Sequence, residues 1–165
     1  GGLPEWLNAS NPTLEMDPAG TFSKGNFEAN LDKGNVKVID EIIGHAMKPK
    51  AILIDARSEG RFNGTAPEPR EGLRSGSIPN SINIPYTDVM DGNKYKTPKK
   101  LKSIFKEVEP NVNLIFSCGS GITACIILLA AELILDNKKT VYDGSWTEWA
   151  SVTEDMGRQD ERSLR

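Results

Sequence analysis

Cys118 stands directly after an apolar run, Leu114-Ile115-Phe116 with Ser117, and directly before Gly119-Ser120-Gly121, beyond which Ile122-Thr123-Ala124 open a long apolar stretch. The pattern predicts a strand that delivers a thiol into a tight glycine loop at the mouth of a helix. Such a setting activates sulfur. Free loop and helix-start N–H groups converge on the loop centre and the helix dipole adds partial positive charge, so thiolate is favoured over thiol. The dipole supplies about 0.3 to 1 kcal/mol, up to about 2 in favourable sites, and the loop donors must contribute the rest. The chemistry expected of a cysteine so placed is nucleophilic and covalent.

Other readings of the loop compete with this one. Gly119-x-Gly121-x-x-Ala124, with Asp143 roughly 20 residues on, has the spacing of a dinucleotide fingerprint. Only one strand and one short helix are expected after the helix that Ala124 begins, too few to complete a nucleotide-binding sheet, and a cysteine ahead of the first glycine has no part in holding pyrophosphate. A cysteine phosphatase needs an arginine six positions after the cysteine to hold phosphate bidentately, and that position is Ala124. A plain buried thiol is the commonest fate of a free cysteine; the location of Cys118 in a glycine loop, outside the apolar run, argues against it. The single histidine, His45, reads as a surface or helix-terminal residue, and no cluster has metal-ligand spacing, so neither metal nor cofactor is expected.

The elements that must position the thiol follow from the rest of the chain. Residues 36–47 read as a helix, 51–54 as an apolar strand with Asp55-Ala56-Arg57 at its carboxyl end, and 58–80 as a long Gly- and Pro-containing loop of the kind that carries function. A short extended piece covers 81–85. Thr97-Pro98 opens an amphipathic helix with Thr97 as N-cap and Leu101, Ile104, Phe105 and Val108 on one face. A strand over 113–116, a helix over 122–136, a strand over 140–142 and a helix over 145–153 complete the pattern. Strands alternating with helices predict an α/β fold, a parallel sheet with helices on both faces.

Composition bounds the function. At 165 residues, 38% hydrophobic and 26% charged, the chain describes one globular domain with some extension. A net charge of -3 argues against a nucleic-acid partner, and the lysines at 94, 96, 99, 100, 102 and 106 read as a solvated face. The apolar stretch from Ala124 to Leu135 is interrupted by Glu132 and too short to span a bilayer, so no membrane role is expected. Cys125 lies two helical turns from Cys118, about 10 Å away and too far for a disulfide. It reads as a small buried filler, and two reduced cysteines fit a cytoplasmic or mitochondrial setting. Gly1-Gly2-Leu3-Pro4-Glu5-Trp6 repeats the offsets of Gly144-Ser145-Trp146-Thr147-Glu148-Trp149, which suits tandem domain duplication. The expected organisation is the end of a preceding domain plus a linker over 1–35, the main domain over 36–155, and a polar tail over 156–165.

Asp55-Ala56-Arg57, Gly60-Arg61-Phe62, Gly64-Thr65, Pro67-Glu68-Pro69-Arg70, Ser75-Gly76-x-Ile78-Pro79, Asn83-Ile84-Pro85, Cys118 to Cys125 and Tyr142-Asp-Gly-Ser-Trp-x-Glu-Trp149 together resemble the catalytic, C-terminal rhodanese domain of 3-mercaptopyruvate sulfurtransferases. The resemblance covers roughly residues 36 to 150. It implies that Cys118 accepts sulfur as the nucleophile, that the loop of Gly119, Gly121, Ile122 and Thr123 cradles the persulfide, and that Ser120 joins a proton relay. It implies that Arg61 and Arg70 hold the substrate carboxylate and carbonyl, for which forked guanidinium donors are suited. Arg57 is expected to pair with a nearby acid such as Asp55 and brace the loop. Glycine and serine after the cysteine, in place of the basic pair of thiosulfate-preferring relatives, imply 3-mercaptopyruvate as donor and a thiol such as thioredoxin as acceptor. The family's Gly-His-Ile segment reads Gly76-Ser77-Ile78 here, and the acid and histidine that complete the relay belong to a first domain expected to precede this one. Alternatives are a thiosulfate sulfurtransferase and a catalytically weak or inactive rhodanese module used for binding or regulation.

Overall fold

The structure, a computed structural model, describes residues 2–13, 23–30 and 32–153. Its main sheet is wholly parallel and runs in the order β1 (Val36–Lys37), β7 (Lys139–Tyr142), β6 (Leu114–Ser117), β2 (Ile52–Asp55), β3 (Ser81–Asn83). Every residue of β6 is buried, as expected for a central strand covered on both faces. The period-2 alternation of β2 and β6 divides the core. Ile54, Leu114 and Phe116 pack with Leu101 and Phe105 around α4 (Pro98–Ile104) and with Ala124, Ile127 and Ala130 of α5 (Ile122–Glu132). Leu53 and Ile115 face the other way, toward Ile42 of α2 (Ile39–Met47) and toward Trp146 and Trp149 of α6 (Ser145–Val152). A small antiparallel pair, β4 (Met90–Asp91) with β5 (Lys94–Tyr95), lies outside this sheet.

Several sequence expectations need correction. Val36 and Lys37 do not begin a helix; they form an edge strand in register with Val141 and Tyr142. The helix starts at Ile39, where the Glu41 carboxylate accepts the Val38 N–H at 3.1 Å. The loop 58–80 contains one short helix, α3 (Glu59–Phe62). Thr97 is at the N-cap of α4 but makes no side-chain capping bond, and Pro98 in the first turn sets the start. Helix α5 ends at Glu132, because Asn137 donates to the carbonyls of Glu109 and Val112 and draws the chain back toward β6. Cys125 is exposed, contrary to its reading as a filler. His45 does lie in the last turn of α2, but it is buried. The expected polar tail at 156–165 lies outside the described residues. Among the described residues, no helix is long and apolar enough to cross a membrane.

The first element, α1 (Gly2–Asn8), is short, and Lys94 reaches it through an ion pair with Glu5 at 3.0 Å. The two copies of the sequence repeat share a conformation: Gly2 opens α1 at φ 67° and Ser145 opens α6 at φ 51°. They differ in packing. Trp149 is only 1% exposed, whereas its counterpart Trp6 is 49% exposed.

Replacing Trp149 with Ala removes a large side chain from the core, and urea denaturation should report a loss of about 3–5 kcal/mol. Trp6→Ala should change stability by about 0.5 kcal/mol or less. Equal losses for the two variants would contradict the unequal packing of the two copies.

Candidate active site

Because all five strands run in parallel, their carboxyl ends meet at one edge of the sheet. That edge gathers Asp55-Ala56-Arg57 after β2, Cys118 after β6 and Asp143-Gly144-Ser145 after β7. Ligands of open α/β sheets bind at this edge. The loop after Cys118 turns sharply into α5. Gly121 has φ 84°, and a Cβ there would stand 2.9 Å from the Asp143 carbonyl oxygen, so both the left-handed backbone and the close approach require glycine.

The Ser145 hydroxyl organises this turn. It accepts the N–H of Cys118 at 3.1 Å and that of Gly121 at 3.0 Å, and donates to the Tyr142 carbonyl at 2.8 Å. Ser145 is itself held at positive φ, an uncommon state for a non-glycine residue. The Trp146 N–H donates to the Cys118 carbonyl, and both the N–H and the hydroxyl of Thr147 donate to the Gly119 carbonyl. The start of α6 is thereby sewn to the cysteine loop. Two of the loop N–H groups are consumed in this way. Those of Gly119, Ser120, Ile122 and Thr123 donate to no other described residue. Backbone N–H groups gathered in such a turn are suited to an anion.

The Arg61 guanidinium stands beside this loop. A Cβ on Gly119 would lie only 2.8 Å from an Arg61 terminal nitrogen, so the guanidinium rests against the loop and the absence of a side chain at 119 makes room for it. Its other contacts are to Glu68, with Nε to Oε1 at 3.1 Å and Nη2 to Oε2 at 2.6 Å. Glu68 also accepts from Arg57 Nη1 at 2.8 Å. Burial pushes the Glu68 carboxyl up, but Arg61 and Arg57 outweigh that effect and hold it below the usual carboxylate range. Arg57, fully buried, grips both oxygens of Asp55, as its sequence position suggested, and donates to the Gly76 carbonyl at 2.6 Å. Burial pushes the Asp55 carboxyl up against the opposing pull of Arg57. The Trp146 ring packs against two guanidiniums, 4.4 Å from Arg57 and 4.8 Å from Arg74.

The structure thus brings together Cys118, Gly119, Ser120, Gly121, Ile122, Thr123 and Arg61. Ser120 and Ile122 are exposed, while Cys118 is only 1% exposed and packs with Phe116 and Ala124. Arg70 is exposed, and its side chain makes no hydrogen bond or ion pair with another described residue, so it is not joined to the site as Arg61 is. His45 lies on α2 and contributes nothing to the cysteine loop. Sequence reasoning did not single out Ser145 or Glu68. Both stand inside the quoted motifs, and Ser145 follows a glycine before an aromatic helix start, a position at which a hydroxyl can bind backbone groups. Among the described residues, no group of three or more His, Cys, Asp or Glu could hold a metal ion.

The 3-mercaptopyruvate sulfurtransferase of Mus musculus is 38% identical over 156 residues, covering 90% of this chain and 50% of the relative. The thiosulfate sulfurtransferase of Rattus norvegicus is 36% identical over 153 residues, covering 90% and 51%. The crystal structure of SseA from Escherichia coli, described as having the rhodanese fold of 3-mercaptopyruvate sulfotransferases, superposes with a TM-score of 0.69 at 31% identity, over 88% of this chain and 54% of that one. The chain therefore spans about half the length of the curated relatives it matches. Residues 25–152 match the rhodanese-like domain, and with the parallel sheet and the cysteine loop at its carboxyl edge this places the chain in the rhodanese-like domain family.

Proposed function

We propose that this domain transfers sulfur from 3-mercaptopyruvate to a thiol acceptor through a persulfide on Cys118. The observation that carries the reading is the juxtaposition of the Cys118 loop, its uncommitted N–H groups and the Arg61 guanidinium against Gly119. The Cys118 thiolate attacks the donor sulfur and an S–S bond forms. The C–S bond breaks, its electron pair passes to carbon as the enolate of pyruvate, and a proton taken up at that carbon completes pyruvate. An acceptor thiolate such as that of thioredoxin then attacks the outer sulfur, and the S–S electrons return to Cys118. The covalent intermediate carries the sulfur, so the step requires no cofactor.

In this reading the N–H groups of Gly119, Ser120, Ile122 and Thr123 stabilise the persulfide anion, and the Gly121 turn presents them. The Ser120 hydroxyl serves the proton transfer. Arg61 holds the donor carboxylate, exchanging part of its contact with Glu68, and Arg70 closes on the donor from the loop. A preceding rhodanese domain over a linker ending near residue 35 supplies the rest of the cleft. The shared positive φ of Gly2 and Ser145 in the two repeat copies supports that duplication. Two unpaired thiols favour a reducing compartment, cytoplasmic or mitochondrial. A binding or regulatory module without turnover is the second reading, and the 1% exposure of Cys118 favours it.

Treatment with 3-mercaptopyruvate should add the mass of one sulfur atom to the wild type and to Cys125→Ser, and none to Cys118→Ser. Gain of sulfur by Cys118→Ser but not by Cys125→Ser would reverse the assignment. No gain by any of them would favour the module without turnover. Arg61→Ala and Arg70→Ala should each lower kcat/KM for 3-mercaptopyruvate by roughly ten- to a hundred-fold, the loss of a charge-assisted contact of about 1.5–3 kcal/mol. Unchanged kinetics in both would remove the loop from donor binding. Extending the chain upstream with the expected first domain should raise turnover well above that of this domain alone; equal turnover would mean that one domain contains the whole catalytic apparatus.

A further inference from the structure

The amino edge of the sheet, opposite Cys118, holds a cavity of about 530 Å³. It opens where β2, β6 and β7 begin, between Ala51, Asn113 and Lys138, and α2 forms its other wall. A cavity of this size takes a ligand the size of a typical small-molecule cofactor or drug. Its floor includes Ala51 and Ile115. Lys48, Lys50 and Lys138 line it, and none of their ammonium groups makes a hydrogen bond or ion pair with another described residue. Lys37 and Glu41 also line it but neutralise each other at 2.5 Å. The remaining charge is therefore positive, in a protein whose net charge is -3.

His45 gives the site a second, independent feature. It lines the cavity, is only 6% exposed, and its Nε2 has no hydrogen-bond partner. A buried polar atom without a partner is costly, on the order of 1–3 kcal/mol, and a ligand oxygen would satisfy it. Burial holds the His45 imidazole below its ordinary value, so the ring is neutral near pH 7. Neutral imidazole can still donate from one nitrogen, and an anion beside it favours the charged form.

We propose that this cavity binds an organic phosphate of about nucleotide size, its phosphates among Lys48, Lys50 and Lys138 and hydrogen-bonded to His45, its organic part on Ala51 and Ile115. The three ammonium groups suit a polyanion better than a single carboxylate, and the apolar floor suits an organic body better than a free ion. The site lies across the sheet from the cysteine loop and does not rest on the sulfur-transfer reading. Lys48 and Lys50 also follow the C-terminus of α2, where cations suit the helix dipole; such a role would leave His45 indifferent to added anion.

His45 is the only histidine, so its ring-proton NMR signal needs no assignment. Adenosine diphosphate, inorganic pyrophosphate and adenosine are titrated separately into the protein at constant ionic strength. Adenosine diphosphate should shift the His45 signal saturably and raise its apparent pKa by about one unit. Pyrophosphate should bind at least tenfold more weakly, and adenosine should not saturate. The triple variant Lys48→Ala, Lys50→Ala, Lys138→Ala should bind adenosine diphosphate at least tenfold more weakly than wild type, while Lys99→Ala, Lys100→Ala, Lys102→Ala on α4 should bind as wild type. Failure of His45 to respond saturably, equal weakening by the two triple variants, or equal affinity for pyrophosphate and adenosine diphosphate would each overturn the proposal. Persulfide formation on Cys118 is read in parallel, and its presence or absence leaves the His45 result unchanged.

Discussion

The buried guanidinium of Arg57 is the interaction on which the arrangement of the carboxyl edge depends. With a side chain fully withdrawn from water, it can persist only if its charge and its donors are matched. Asp55 at the end of β2 and Glu68 in the long loop supply the charge, the Gly76 carbonyl takes a further donor, and the Trp146 ring covers one face. One cation therefore fixes the end of a strand, two points of a loop with little regular structure, and the first turn of α6. Removing a partner from such a group leaves an uncompensated buried charge, typically a loss of about 3–5 kcal/mol. The arrangement of loop 58–80 follows from this constraint and not from local propensity.

Glu68 couples that network to the cysteine loop. The same carboxylate that neutralises Arg57 engages Arg61, whose guanidinium lies against Gly119. Two cations and two anions thus sit in one connected cluster, which holds the guanidinium that lies against Gly119 in place. In the proposed sulfur transfer, pre-organisation of this kind reduces the ordering cost of binding. Asn83 reinforces the same edge by donating to the carbonyls of Asp55 and Arg57, so β3 also bears on the position of the pair.

The cysteine loop is shaped from the other side. Ser145 adopts a left-handed conformation that costs energy, and its hydroxyl repays this by tying together the ends of β6, α5 and β7. It takes two loop N–H groups out of play and leaves those of Gly119, Ser120, Ile122 and Thr123 without a described partner. The loop is therefore less an open ring of donors than a frame with one side already filled. Meanwhile the parallel direction of the sheet separates this edge from the lysine-lined cavity at the amino edge, so the two regions share strands but no side chains.

Much of this was legible in the chain. The alternation of apolar strands with helical patterns determined a parallel α/β sheet, and parallel strands place the residues that follow them at a common edge. The glycines around Cys118 announced a turn that only a residue without Cβ could make. The pairing of Arg57 with Asp55 followed from their adjacency at a strand end. Other features depended on contacts distant in sequence, which periodicity does not encode. Val36 and Lys37 look helical by pattern and are strand because β7 offers them an edge. Cys125 looks like core because α5 is apolar nearly all round, yet the packed side of that helix is set by Ala124, Ile127 and Ala130, and Cys125 turns outward. The role of Ser145 needed the loop to come within 3.1 Å of its hydroxyl, and the sharing of Glu68 by two arginines needed the long loop to fold back. The burial of His45 beside uncommitted lysines likewise required α2 to lie against the amino ends of three strands. The sequence determined which residues could do chemistry, since side-chain type and backbone freedom are local properties. Which of them meet was decided by tertiary structure, because the geometry of a hydrogen bond or an ion pair between distant residues exists only once the sheet and its helices have closed.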